Sequence, residues 1–362
     1  MRIRSVAILF VLFLSASCTD KLIHEEFGNT PLGNFDACWS EYDRNYGAFE
    51  AKNINWDSLR SIYRSKLNNE STDEELYTVL TGLMKHLNDG HVQLLAPGFK
   101  RFFSSEIHTL YRDSKYYENG NVINALLSLI ANNYLQTLKL RKSFFRGYIK
   151  NQISSKRIAY LYVSSFSLDL YPRSFIDSAL TEFKSADAII LDLRFNGGGA
   201  TGTFLNLLNH FADERRMYLK SKLRNGPNHI DFTELYSHYT WPEYGVFSSK
   251  PVIVLVNRFS GSSSEHFMLG MQKFPYVTTI GDTTYGALST VMQKMLPNGW
   301  EFRICPQVIY DINGRYLSNA DGRYPDGVGL CPQIWIPNYY KDIVNGRDLV
   351  LERAIKVINT SK

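Results

Sequence analysis

Cysteine is scarce in this chain: four in 362 residues, at positions 18, 38, 305 and 331. A chain of this length can build its own core, so a disulfide scaffold is not required. Cys305 and Cys331 could pair in an oxidising compartment, although spacing alone does not show it. No Cys/His cluster has zinc-ligand spacing, so no metal is expected. Charge is nearly balanced, with a formal excess of only +5. No basic cluster alternates with aromatics, so nucleic acid is not an expected partner. The Gly-rich turn Gly197–Gly199 lacks a following Lys-Ser/Thr and the GxGxxG spacing. Both nucleotide motifs therefore fail, and no cofactor is expected.

Long apolar runs are also lacking. At the N-terminus, Arg2 and Arg4 precede the run Val6 to Leu14, too short to span a bilayer as a stable helix. Ser15-Ala16-Ser17 then lead to Cys18. This pattern looks like a bacterial lipoprotein signal over residues 1–17, with Cys18 becoming the lipidated first residue of a periplasm-facing chain. Cleavage nearby with simple secretion is the alternative, because the usual leucine sits one position early, at Leu14. Removing residues 1–17 takes away two arginines and no acid, lowering the charge to +3.

Residues 18–95 read as an N-terminal helical domain. Phe35, Trp39, Tyr42 and Tyr46 recur at helical spacing, and Ser71-Thr72-Asp73-Glu74 resembles a capping box. Residues 96–156 form a connecting segment without a clear pattern. From Arg157 to the end, short β-branched runs (Ile158 to Val163, Ala188 to Leu191, Val252 to Val256, Val277 to Ile280) alternate with helical patterns. That alternation predicts an α/β core whose strands are buried on both faces. Residues 213–250, with Arg215-Arg216, Tyr236, Tyr239 and Trp241, are a candidate lid or substrate wall, or else ordinary packing.

Chemistry concentrates in two stretches. In the first, Val252 to Leu255 enter a polar turn, Phe259 to Ser264, and a helical pattern follows with Phe267, Met268 and Met271 on one face. Ser262, Ser263 and Ser264 thus stand at a helix N-terminus, where free N–H groups and the dipole favour developing negative charge. They are either helix caps or the setting of a serine nucleophile. In the second, the strand Ala188 to Leu191 runs through Asp192-Leu193-Arg194 into Gly197, Gly198 and Gly199. Donating N–H groups to an oxyanion suits this loop better than binding phosphate. Asp192 and Arg194 fit a structural ion pair that holds the loop.

Together these stretches resemble the S41 peptidases, the family of tail-specific (C-terminal processing) proteases and the tricorn core protease. The resemblance runs from about Phe35 to Ile355. It rests on LNDGHVQLL at Leu87 to Leu95, IAYLYVSSF at Ile158 to Phe166, IILDLRFNGGG at Ile189 to Gly199 and VNRFSGSSSE at Val256 to Glu265. IGDTTYGA at Ile280 to Ala287 and GRDLVLERAI near the C-terminus extend it. It implies a crotonase/ClpP-like core and cleavage of protein or peptide substrates. The nucleophile would be Ser262, with Ser260 and Ser264 as alternatives if the register slips. The oxyanion donors would be the N–H groups of Ser263 and Gly198. Tail-specific proteases often insert a PDZ domain at 96–156, but about 60 residues without a carboxylate-binding glycine loop predict no complete one.

The chain departs from the tail-specific branch after Thr284-Tyr285-Gly286, where Ala287 replaces the general-base lysine. A serine hydroxyl without a base is a weak nucleophile. The tricorn-like branch uses a histidine from the helical front instead, which here is His91, after a helix read as Glu74 to Leu87 and ending at Gly90. Its imidazole has a suitable ordinary pKa. His266, four residues from Ser262, is the rival. The orienting acid would be Asp326, or Asp326 merely serves its turn. Gly90 stands where the tricorn type has a serine, and Pro332-Gln333 replaces the usual Pro-Asp. Glu265 reads as an N-terminal helix charge. The expected activity is that of a serine endopeptidase of the cell envelope. A decayed, peptide-binding lipoprotein is the alternative, and an acyl-transfer enzyme using coenzyme A has no sequence support.

Overall fold

The computed structural model describes residues 27–99, 101–105, 122–242, 247–319 and 321–360. The leader pattern and Cys18 lie outside them. Among the described residues no helix is long and apolar enough to cross a membrane.

The front of the chain is helical: Pro31–Asn45, Trp56–Arg64 and Asp73–Met84. Thr30 caps the first helix through Gly33 N–H, with proline in its first turn. The third begins with a reciprocal capping box between Thr72 and Glu75, one position later than the sequence pattern places it. Phe35, Tyr42, Tyr46, Leu80 and Leu83 are fully buried and belong to one hydrophobic cluster with core residues such as Leu161, Leu191 and Val254. The helical front therefore shares its core with the rest of the molecule.

The central sheet has seven strands in the order β14-β10-β9-β6-β5-β4-β3. From the far edge these are β14 (Ile334–Trp335), β10 (Val277–Gly281), β9 (Val252–Val256), β6 (Ala188–Asp192), β5 (Ile158–Tyr162), β4 (Phe144–Ile149) and β3 (Leu135–Arg141). Strands β5, β6, β9, β10 and β14 run parallel, while β3 and β4 are antiparallel additions. Every residue of β5, β6 and β9 is buried, as continuous apolar runs require. The core sheet thus reaches back to Leu135, into the segment read as a connector. Its antiparallel edge, and the helix Val122–Leu129 before it, have too little period-2 signal to separate from a loop. Residues 106–121 of that segment lie outside the described residues.

Two smaller sheets complete the fold. One is β11-β12-β1-β2, joining Gln93–Ala96 (β1) and Arg101–Ser104 (β2) to Met292–Met295 (β11) and Glu301–Ile304 (β12). The other is β13-β7-β8, built from Gln307–Tyr310 (β13), Met217–Leu223 (β7) and Tyr236–Tyr239 (β8). The first matters most here, because it clamps the end of the helical front onto the C-terminal half. The proposed Cys305–Cys331 pair does not form: Cys305 is buried and free, Cys331 exposed and free.

Asp192 and Arg194 do form a buried ion pair, extended by Asp348. The Arg194 guanidinium binds Asp192 and, bidentately at 2.8 Å, both oxygens of Asp348. Tyr160 donates a further hydrogen bond to Asp192. Asp348 also accepts Leu351 N–H at the start of the C-terminal helix Leu349–Thr360. Buried charges persist when they are this well bonded.

Candidate active site

After β9 the chain turns through Asn257–Gly261 before the helix Ser263–Met271 starts. Side chains interlace this turn with the end of β6. Asn257 Oδ1 accepts the N–H groups of Phe195 and Phe259, each at 3.0 Å. Ser260 Oγ donates to the Leu193 carbonyl, and Ser264 Oγ to the Asn196 carbonyl. Ser260 and Ser264, the alternatives to Ser262, are thus fully buried and spoken for.

Ser262 sits differently. Its backbone has φ 55° and ψ −119°, a region that a residue with a Cβ occupies only when the surroundings enforce it. A strained serine at the apex of a strand-to-helix turn is the setting of a nucleophile elbow. Ser262 borders a cavity of about 330 Å³, as do Ser263, His91 and His266. Phe204, Tyr218, Leu288 and Val291 contribute its apolar walls.

Strand pairing brings His91 there. Gln93 pairs with Arg303 across β1 and β12, so the turn preceding β1 is delivered to the C-terminal half. The helical run ends at left-handed Asn88 rather than at Gly90, and Gly90 has another task. A Cβ on it would lie 2.4 Å from the Tyr285 ring and 3.2 Å from the Ala287 Cβ. Only glycine lets the His91 turn seat this closely on the Tyr285–Ala287 loop. Ala287, where a lysine is absent, is buried beneath it.

Adjacent carbonyls orient two imidazoles in opposite senses. His91 Nδ1 lies 2.8 Å from the Ser289 carbonyl, and His266 Nε2 lies 2.8 Å from the Leu288 carbonyl. A carbonyl only accepts, so His91 carries its proton on Nδ1 and keeps Nε2 as an acceptor; His266 has the reverse tautomer. Burial pushes both pKa values below the ordinary histidine range, which keeps both rings neutral at pH 7. His238, also on the cavity, is lowered by burial to about 4.

Two expected roles are corrected by the geometry. Gly198 N–H already donates to Asn196 Oδ1 at 2.9 Å, and Gly198 does not border the cavity, whereas Gly199 does. In the bridge to Phe166, the bonds are made by Gly198 O and Ala200 N–H. Strand alternation then leaves the N–H and C=O of Gly199 on the opposite edge, where the carbonyl accepts Ser263 Oγ at 2.7 Å. Gly199 and Ser263 both line the cavity. Gly198 serves close packing: a Cβ there would come 2.7 Å from the Ser262 Cβ. Three consecutive glycines do not reveal which one faces inward.

Asp326 does not orient His91, whose Nδ1 is taken by Ser289. It is fully buried, accepts Leu288 N–H through Oδ1, and borders a separate cavity beside Lys52 and Tyr324. Burial first and the like charge of Asp89 second raise its pKa to about 8. Asp89 is the carboxylate adjoining the histidine turn, accepting His91 N–H at 3.0 Å and the Tyr46 hydroxyl. Its place in Leu87-Asn88-Asp89-Gly90-His91 was the signal that sequence reasoning passed over.

Glu265 stands in the first turn of the helix Ser263–Met271, as an N-terminal helix charge should. It is fully buried, accepts four hydrogen bonds, and is raised by burial to a pKa of about 7 despite them.

The model of peptidase family S41 matches residues 157–328, and that of the tricorn protease C1 domain matches residues 28–85. The carboxy-terminal processing protease CtpA of Bacillus subtilis is 25% identical over 196 residues, covering 53% of this chain and 38% of that protein. The tail-specific protease of Haemophilus influenzae is 29% identical over 149 residues, 40% of this chain and 19% of that one. The chain thus spans well under half the length of these curated relatives. A solved structure from Parabacteroides merdae, assigned to the peptidases, superposes with a TM-score of 0.74 at 25% identity, covering 91% of this chain and 97% of that one. The glycine turn and strained serine fall inside the S41 match and the helices that lead to His91 inside the tricorn match: residues 157–328 of this chain are a peptidase family S41 segment.

Proposed function

We propose that the protein is a serine peptidase that cleaves protein or peptide substrates by a Ser262–His91 mechanism. The strained conformation of Ser262 at the mouth of the cavity carries the reading. His91 Nε2 takes the hydroxyl proton as Ser262 attacks the scissile carbonyl, while Nδ1–H stays on the Ser289 carbonyl. The N–H groups of Ser263 and Gly199 stabilise the oxyanion; the C–N bond then breaks as His91 gives its proton to the departing amine, and water, activated by the same imidazole, later releases the acyl-enzyme. The helical front supplies the base that Ala287 cannot. The Arg2-to-Cys18 pattern supports a lipid-anchored position at the cell envelope, with substrates of that compartment.

Labelling with a fluorophosphonate probe, alongside hydrolysis of unstructured peptides, tests this. Wild type should label and cleave, while Ser262→Ala should do neither. Persistent labelling of Ser262→Ala would move the nucleophile elsewhere. A folded wild type inert in both assays would point to the peptide-binding alternative.

A further inference from the structure

Glu265 is a buried ionisable group that the mechanism above leaves without a task. Its two oxygens gather two separate segments. Oε2 accepts the N–H groups of Ser262 and Ala287, both at 2.9 Å. Oε1 accepts the Thr284 hydroxyl at 2.5 Å and Gly286 N–H at 2.8 Å. The Gly286 carbonyl in turn accepts Gly90 N–H, on the turn that carries His91. The carbonyls of Leu288 and Ser289, immediately downstream, hold the two imidazoles. A continuous run of bonds therefore leads from the strained serine, through one carboxylate, to the seat of the base.

We propose that Glu265 is a positioning residue whose ionised carboxylate fixes the separation of the Ser262 hydroxyl and the His91 imidazole by joining the serine turn to residues 284–289. The proposal rests on the peptidase reading above. Four donors match what a carboxylate can accept. A neutral acid cannot keep all four, because its added O–H needs an acceptor and the backbone partners are donors only. The Thr284 hydroxyl, which already accepts Leu330 N–H, can take that proton on its second lone pair only by turning its own O–H away from the carboxylate. Protonation thus displaces at least one of the four donors. Asp326, across the loop, is raised by burial to about 8 and is largely protonated at neutrality, and the imidazoles of His91 and His266 are the other groups titrating around the site. The burial-raised pKa agrees with such a joint opening near neutrality.

Glu265→Gln keeps the shape but turns an NH2 toward one pair of donors, whichever way the amide lies. Its acylation rate should fall on the order of 10²-fold, the scale of a small misplacement of reacting groups. KM for a peptide should change by less than about threefold. The acidic limb of the wild-type rate profile should move down in this variant to the position set by His91 alone. A Glu265→Gln protein that labels at the wild-type rate with an unmoved limb overturns the proposal. A wild type that never labels ends the peptidase reading beneath it, which is a different failure. If Glu265→Gln does not fold, amide exchange in wild type decides. Protection at residues 262, 286 and 287 should drop through the same acidic limb, and constant protection there sinks the idea.

Discussion

Neighbouring strands β6 and β9 end side by side in turns that both lead into helices, yet they use polar groups in opposite ways. Beyond β6, Asp192, Arg194 and Asp348 satisfy one another in a closed, fully buried set. Beyond β9, Ser262 is held in a strained conformation and, with Ser263, borders a cavity to which the β6 turn adds only Gly199. Charge at the first turn contributes to holding the fold. Strain at the second is tolerated because that fold over-determines it. The difference shows how to separate structural from reactive polar groups in one region: by bonding capacity left open, not by burial or charge.

The hardest test of the contrast is Ser262→Ala. It should abolish acylation, by analogy with losses of order 10⁶-fold when a peptidase nucleophile is removed, while unfolding transitions stay near wild type. His91→Ala should follow, at roughly 10⁴-fold or more. His266→Ala should cost about tenfold if it only shapes the cavity. A larger loss from His266→Ala than from His91→Ala would exchange their roles. Adding Ala287→Lys to His91→Ala should not restore activity, because position 287 is packed under the Gly90 turn; recovery would revive the lysine chemistry.

The other turn should fail in the other currency. Asp348→Ala leaves Arg194 half-paired in the interior and uncaps the C-terminal helix. Breaking a buried ion pair from one side costs about 3–5 kcal/mol, seen as a lower denaturant midpoint. The folded fraction should keep acylation within about tenfold. A stable but inactive Asp348→Ala would erase the distinction between the turns.

Much of this was legible in the sequence because continuous apolar runs mark doubly buried strands and two adjacent turns concentrate Gly and Ser. Ser262, Ser263 and His91 were singled out by the resemblance to the S41 peptidases, since residue type alone leaves helix caps and a post-helix histidine open. The antiparallel edge β3–β4 could not, since Leu135–Arg141 alternates weakly and breaks at a bulge between Gln136 and Lys139. Nor could the choice of Gly199 over Gly198, which depends on an Asn196 side chain folding back two residues. Glu265 is the N-terminal helix charge that the sequence reads, but the donors that converge on it from 284–287 were not legible, because they are distant in sequence.

Asp326 should give the smallest effect and the sharpest correction. With His91 held by the Ser289 carbonyl, Asp326→Asn should leave acylation at pH 7 within about threefold, since Asn Oδ1 still accepts Leu288 N–H. Its consequence lies in stability. The folded protein raises this carboxyl from about 3.8 to about 8. It therefore binds a proton that the unfolded chain releases at lower pH. Stability from that proton is fully present below the unfolded value and lost as pH rises through about 8. Denaturant midpoints measured from pH 6.5 to 9 should decline more steeply for wild type than for Asp326→Asn. A thousandfold loss of acylation instead would return Asp326 to the catalytic set, and parallel midpoint curves would show that it is ionised throughout.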